Sequence, residues 1–87
     1  MFNLFKNIDD KVKDLGFTKV HSSKLVECYE RKNEQFNYTH CVDIIRKTKR
    51  IPIVQSYQKD TDNMVGLNII EANIFINKIK KLGWFKR

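Results

Sequence analysis

Residues 36–44 read Phe-Asn-Tyr-Thr-His-Cys-Val-Asp-Ile. Phe36, Tyr38, His40, Val42 and Ile44 alternate with Asn37, Thr39, Cys41 and Asp43. A period of two sends the first set to one face and the second to the other, so the segment predicts a half-buried strand. Leu25 to Arg31 and Ile51 to Tyr57 predict strands on either side of it. Pro52 cannot donate to a central ladder, so the third strand belongs at an edge. The four residues 32–35 (KNEQ) and the three residues 47–49 (KTK) are short enough for hairpins. Phe17 to Val20 reads either as a further short strand or as the way into the sheet. Residues 58–66 (QKDTDNMVG) form a polar loop.

Beyond this block the period changes. Phe5, Ile8, Val12 and Leu15, with Leu4 beside them, predict an amphipathic helix over residues 2–15. Gly16 ends it. With Gly16 as the residue after the cap, Phe17 and Val12 take the two positions that touch in a Schellman stop. The last helix repeats the device, with Gly83 setting Trp84 against Ile79. Lys78, Lys80 and Lys81 fill its final turn and complement the helix dipole. Asn68 and Glu71 have the spacing of a capping box at its start. Ala72, Phe75, Ile79 and Leu82 supply its core face. The expected fold is therefore α+β and a single domain over 1–87. A three-stranded antiparallel meander is flanked by an N-terminal and a C-terminal helix, in the order α-β-β-β-α.

The 87 residues suffice for one thin core, since a chain of this size buries only about 60–65% of its unfolded surface. That leaves little room for a deep catalytic cleft. The net charge of +7 favours an anionic partner: nucleic acid, an acidic protein face or a membrane surface. The first ten residues carry Asn3, Lys6, Asn7, Asp9 and Asp10, which break the apolar run a secretory signal needs. No run approaches the ~18 apolar residues of a membrane span. The expected location is cytoplasmic, with Cys28 and Cys41 as reduced thiols and no membrane partner.

Four features could carry function. Arg46, Lys47, Lys49 and Arg50 surround Thr48, and Lys78, Lys80, Lys81, Lys86 and Arg87 gather at the C-terminus. The candidate anionic-partner residues are Arg46, Lys47, Lys49, Arg50, Lys78, Lys81, Lys86 and Arg87. If the hairpin and the last helix share an end, they make one positive field. The other reading is a solvated hairpin and a dipole-matched helix end. No helix-turn-helix, zinc-finger spacing or RNP sequence accompanies them. Tyr29, Tyr38 and Tyr57, with Phe36, can be read as base-stacking rings on an open sheet or as core packing. Ile70 and Ile74, with Leu67 nearby, lie about 100–140° from Phe75 around the last helix at 100° per residue. This stripe either meets another part of the sheet or faces a protein partner or a second copy. The fourth set is Cys28, Cys41, His21 and His40. A hairpin centred between Glu34 and Gln35 puts Cys28 opposite Cys41 and turns His40 to the other face. No metal spacing is present, and neighbouring strand residues point apart, which disfavours a Cys-His nucleophile pair. Neither a metal site, a cofactor nor a catalytic residue is expected.

Asp14-Leu15-Gly16-Phe17, Phe36-Asn37-Tyr38 and Lys80-Lys81-Leu82-Gly83-Trp84 together resemble small uncharacterised proteins of phages and prophages of low-GC Gram-positive bacteria. Those proteins often join a helix ending in LGF or LGY, a strand meander and a closing K-x-LGW helix. The resemblance covers the layout of most of the chain and transfers no catalytic residue. It implies a mobile-element setting, a host-cell cytoplasm and an accessory factor that binds a host or defence protein. The expected function is thus a non-enzymatic module docking on a protein, with Leu67, Ile70 and Ile74 as apolar contacts and the basic hairpin for steering. The alternative is a nucleic-acid-binding accessory protein using the basic hairpin and C-terminal tail.

Overall fold

The computed structural model describes residues 7–46 and 51–85. Its elements run α1 (Ile8–Asp14), β1 (Thr18–Ser22), β2 (Val26–Asn33), β3 (Tyr38–Ile45), β4 (Ile53–Gln58) and α2 (Ile69–Lys81). The strands form one antiparallel sheet in the order β1-β2-β3-β4. The fold is α+β, with four strands where three were expected. The added strand is β1, where the sequence left a strand open. All five of its residues are exposed, and a bulge between Lys19 and His21 breaks its alternation. No two-residue period survives such a bulge.

The first helix is described from Ile8, so Leu4 and Phe5 lie outside the described residues. Asn7 caps α1 by accepting from the Asp10 amide at 2.9 Å. Both helices end as their sequences predict. The amides of Gly16 and Phe17 donate to the carbonyls of Lys13 and Val12, and those of Gly83 and Trp84 donate to Lys80 and Ile79. These are the two bonds of a Schellman stop, repeated. Gly16 and Gly83 have φ of 93° and 75°, a region costly for any residue with a Cβ. At the start of α2, Asn68 and Glu71 form the full capping box.

The hairpin register differs from expectation. Asn33 pairs with Tyr38 and residues 34–37 form the turn, so the hairpin is centred between Gln35 and Phe36. Phe36 is therefore in the turn, 68% exposed, with its amide donating to Asn33 Oδ1. Cys28 pairs with Asp43 and Cys41 with Glu30, which sets the two thiols diagonally on one face rather than opposite each other.

Both helices lie on the same face of the sheet. That face carries Tyr29, Val42 and Ile44, which pack with Val12, Phe17, Phe75 and Ile79 to form the core. Phe17, Tyr29 and Phe75 meet edge to face at centroid distances of 5.3 and 5.5 Å. The opposite face carries Cys28, Glu30, Cys41, Asp43, Gln55 and Tyr57 by register. Both sheet edges are guarded. Lys19 and the bulge mark β1, and Pro52 precedes β4. The later half of β4 is covered where Met64 bridges Tyr57 and the Val65 amide donates to Ser56.

Candidate functional site: the hairpin end of the sheet

The direction of the helices decides where charge collects. Asp9, in the first turn of α1, pairs with Lys78 and Lys81 at the end of α2. Leu15, at the other end of α1, lines a groove with Ile70 and Ile74. The helices are therefore antiparallel. Lys78 lies 3.9 Å from Glu27, whose row across the sheet continues through Ile44 to Val54. Glu71 lies 2.9 Å from Arg31, in the row of His40 and Gln58. Helix α2 thus runs toward the end of the sheet where β3 leaves and β4 enters.

The chain enters α1 after Asn7, leaves β3 at Arg46 and leaves α2 toward Phe85, all at that end. Six of the 17 basic residues (Lys6, Lys47, Lys49, Arg50, Lys86 and Arg87) and none of the ten acids fall outside the described residues. The described body holds 11 cations against ten carboxylates and is nearly neutral. The remaining +6 of the +7 net charge therefore lies outside the described residues. Of the predicted basic residues, Arg46, Lys78 and Lys81 are described, and Lys47, Lys49, Arg50, Lys86 and Arg87 lie outside the described residues. Arg46 is exposed, with its amide bonded to the Leu25 carbonyl at 2.7 Å. Lys24 lies in the neighbouring β1–β2 turn. Lys78 is not a surface cation. It is buried and pinned by Asp9 and Glu27.

The same end carries an apolar surface. Val26, Ile45 and Ile53 form a cross-strand row on the face away from the helices. Ile53 is 39% exposed, and Leu25 and Ile51 beside the row are 53% and 71% exposed. No aromatic side chain lies in this row. Tyr29 is in the core, and Tyr57, on the open face, is held by a 2.7 Å bond from its hydroxyl to Asp43.

The predicted helix stripe divides. Leu67 and Ile74 pack against the core, whereas Ile70 is 64% exposed in the groove beside α1. Ile70 lies 11 residues before Lys81, about 16 Å along the helix at 1.5 Å per residue. On the other side of α2, Leu67, Ala72, Ile76 and Met64 line a groove of about 720 Å3 beside β4. Met64 is 90% and Ile76 42% exposed.

Beneath the helices lie two polar clusters that the sequence did not reveal. In one, Glu27 accepts from Tyr29 (2.5 Å) and Ser22 (3.0 Å), with Lys19 at 3.8 Å and Lys78 at 3.9 Å. Its Asp9 is held at a pKa of about 2, chiefly by hydrogen bonds from Lys78 and Lys81. In the other, Arg31 donates to the Leu15 carbonyl at 2.9 Å, pairs with Glu71 at 2.9 Å and meets His40 Nδ1 at 3.1 Å. Its guanidinium also stacks 4.2 Å over Phe17. A guanidinium only donates, so Nδ1 accepts and Nε2–H donates to Ser56 Oγ at 2.5 Å. Burial first and Arg31 second lower the His40 pKa.

This Ser56–His40 pair is unsuited to nucleophilic catalysis. A catalytic imidazole needs a group at Nδ1 that stabilises its cation, and here a cation occupies that position. The thiols are likewise unactivated. Burial, then Asp43, pushes Cys28 up to about 11, and burial, then Glu30, raises Cys41. Among the described residues, no three His, Cys, Asp or Glu side chains are grouped to hold a metal ion, and no helix is long and apolar enough to cross a membrane. No family model, curated protein or solved structure matches this chain.

Proposed function

We propose that this chain is a non-enzymatic binding module that docks on a protein partner through the hairpin end of its sheet. The observation that carries this reading is a coincidence in space. The exposed Arg46 and Lys24 lie at the same end as the half-buried to exposed aliphatic row Val26, Ile45 and Ile53, and the basic stretch 47–50 follows Arg46 in sequence. Apolar contact flanked by like charges fits a protein face with an apolar centre and an acidic rim. The row replaces Leu67 and Ile74 as the apolar contact, since those two side chains support the core. A second copy is a poor occupant, because it would bring cations against cations. The resemblance to phage and prophage proteins supplies the setting of a host or defence protein as the target.

The alternative is a nucleic acid bound by the same cations. It draws little support from stacking rings at that end, since Tyr29 is in the core and Phe36 and Tyr38 lie at the opposite end of the sheet. The test is capture from host extract with and without nuclease, at low and high salt. Protein docking predicts a partner that survives nuclease and moderate salt. Nucleic-acid binding predicts loss on nuclease treatment and a log–log salt slope of about −0.9 per phosphate neutralised on a duplex. In either case, changing Arg46, Lys47, Lys49 and Arg50 to Ala weakens binding. Unchanged binding by that variant contradicts the role of the basic end.

A further inference from the structure

Arg31 joins three elements at the end of the sheet opposite the basic hairpin. One terminal nitrogen donates to the carbonyl of Leu15, at the stop of α1. The other meets both Glu71, in the first turn of α2, and His40 Nδ1 on β3. Glu71 is itself committed, because its second oxygen accepts from the Asn68 amide and closes the capping box. A single side chain therefore ties the end of one helix and the start of the other to the sheet. Its position is fixed further by Phe17, over which it stacks, and by Gly16, where a Cβ would come within 3.2 Å of the Arg31 side chain.

The arrangement depends on the protonation state of one atom. His40 is 2% exposed, and both of its ring nitrogens are engaged by side chains. The groups facing its ring are Arg31 from β2, Ser56 from β4, Phe17 from the α1–β1 connection and Glu71 from α2. Only Glu71 favours an imidazolium, and it already serves Arg31 and Asn68. A proton on Nδ1 would set an N–H donor and a second cation 3.1 Å from a guanidinium that has no acceptor to offer. The contact cannot survive that change.

We infer that His40 is a proton-sensitive latch on Arg31: the neutral ring holds the guanidinium in place, and the protonated ring releases it with the two helix ends that it ties down. The closed form binds a proton less readily than the opened one. The latch is therefore fully closed above the ordinary imidazole range, and closure is lost progressively as pH falls below about 6.5. Opening frees Leu15 and the first turn of α2, and with them the groove lined by Ile70 and Ile74.

The experiment follows amide hydrogen exchange and the His40 ring resonances together from pH 7.5 to 5 in the intact protein. The Phe17 and Ala72 amides, which donate to Val12 and Asn68, report the two helix ends. Their protection should fall by up to about tenfold per pH unit below about pH 6.5, where the opened form takes up its proton on His40. The Leu82 and Trp84 amides at the far end of α2 should not follow. His40→Asn, which keeps an acceptor near the Nδ1 position but cannot titrate, should give a flat profile. Unchanged protection at Phe17 and Ala72 while His40 takes up its proton overturns the latch, as does the same loss in His40→Asn. If the variant fails to fold, the wild-type contrast between Phe17 and Ala72 at one end and Leu82 and Trp84 at the other still decides: equal loss at both ends overturns the latch.

Discussion

The two ends of the sheet both bury charge beneath the helices, but they differ in what remains outside. At the Arg31 end the cation is matched: Glu71 neutralises it, and Leu15 and His40 accept from it. At the Lys78 end the buried cation is also matched, by Asp9 and Glu27, yet the exposed Arg46 and Lys24 lie at that end too. The matched charges serve the fold, whereas Arg46 and Lys24 are exposed to solvent. A count of lysines and arginines along the chain cannot separate these roles, because it treats Lys78 and Arg46 alike.

The sharpest break of the comparison is Arg31→Met. It leaves Glu71 buried without its cation and His40 without its donor. A cost of about 3–5 kcal/mol is expected in urea denaturation. A loss below about 1 kcal/mol contradicts the part assigned to Arg31. Lys78→Met should cost less, about 1–3 kcal/mol by the same measurement, because Glu27 keeps its bonds from Tyr29 and Ser22. Equal losses for the two variants would erase the distinction between the clusters.

A smaller contrast divides the stripe on α2. Ile74→Ser should destabilise by about 1–2 kcal/mol, since Ile74 packs on the core, whereas Ile70→Ser should change stability by less than about 0.5 kcal/mol. Thermal melts of the pair would show whether the stripe is divided as described. The smallest effect concerns Asp9, whose side chain is 49% exposed despite its two lysine partners. Its folded pKa lies below the ordinary value, so its contribution is present above about pH 4 and is lost as pH falls toward 2. With half the group in solvent, that contribution is no more than about 1 kcal/mol. Asp9→Asn should remove this part of the acid dependence and little else.

The helix stops could be read from sequence because a Schellman motif is local. Gly16 with Phe17, and Gly83 with Trp84, carry the information within six residues. The β3 pattern was equally plain from Tyr38 onward. The fourth strand was not, because β1 is exposed throughout and bulged. Turn geometry also overrode alternation at Phe36, where the Asn33 side chain captures the amide. The buried charges escaped for a different reason. An amphipathic reading sends every charge outward, yet Glu71, Phe75, Lys78 and Ile79 share one helix face at spacings of four, three and one. Opposite charges on an apolar face were the available signal. Arg31 and His40 could have been found in the same way, since they alternate in step with Tyr29 and Val42.

Docking of a protein partner on the open sheet face at the hairpin end can be probed with the variant Ile51→Ser, Ile53→Ser, compared with wild type for capture of a nuclease-resistant partner at moderate salt. Both positions are exposed, so the fold should persist with its circular dichroism unchanged. Capture by the variant should fall at least about tenfold, consistent with about 1.4 kcal/mol of lost apolar contact. Undiminished capture by the variant, or a wild-type partner that disappears with nuclease, would contradict it.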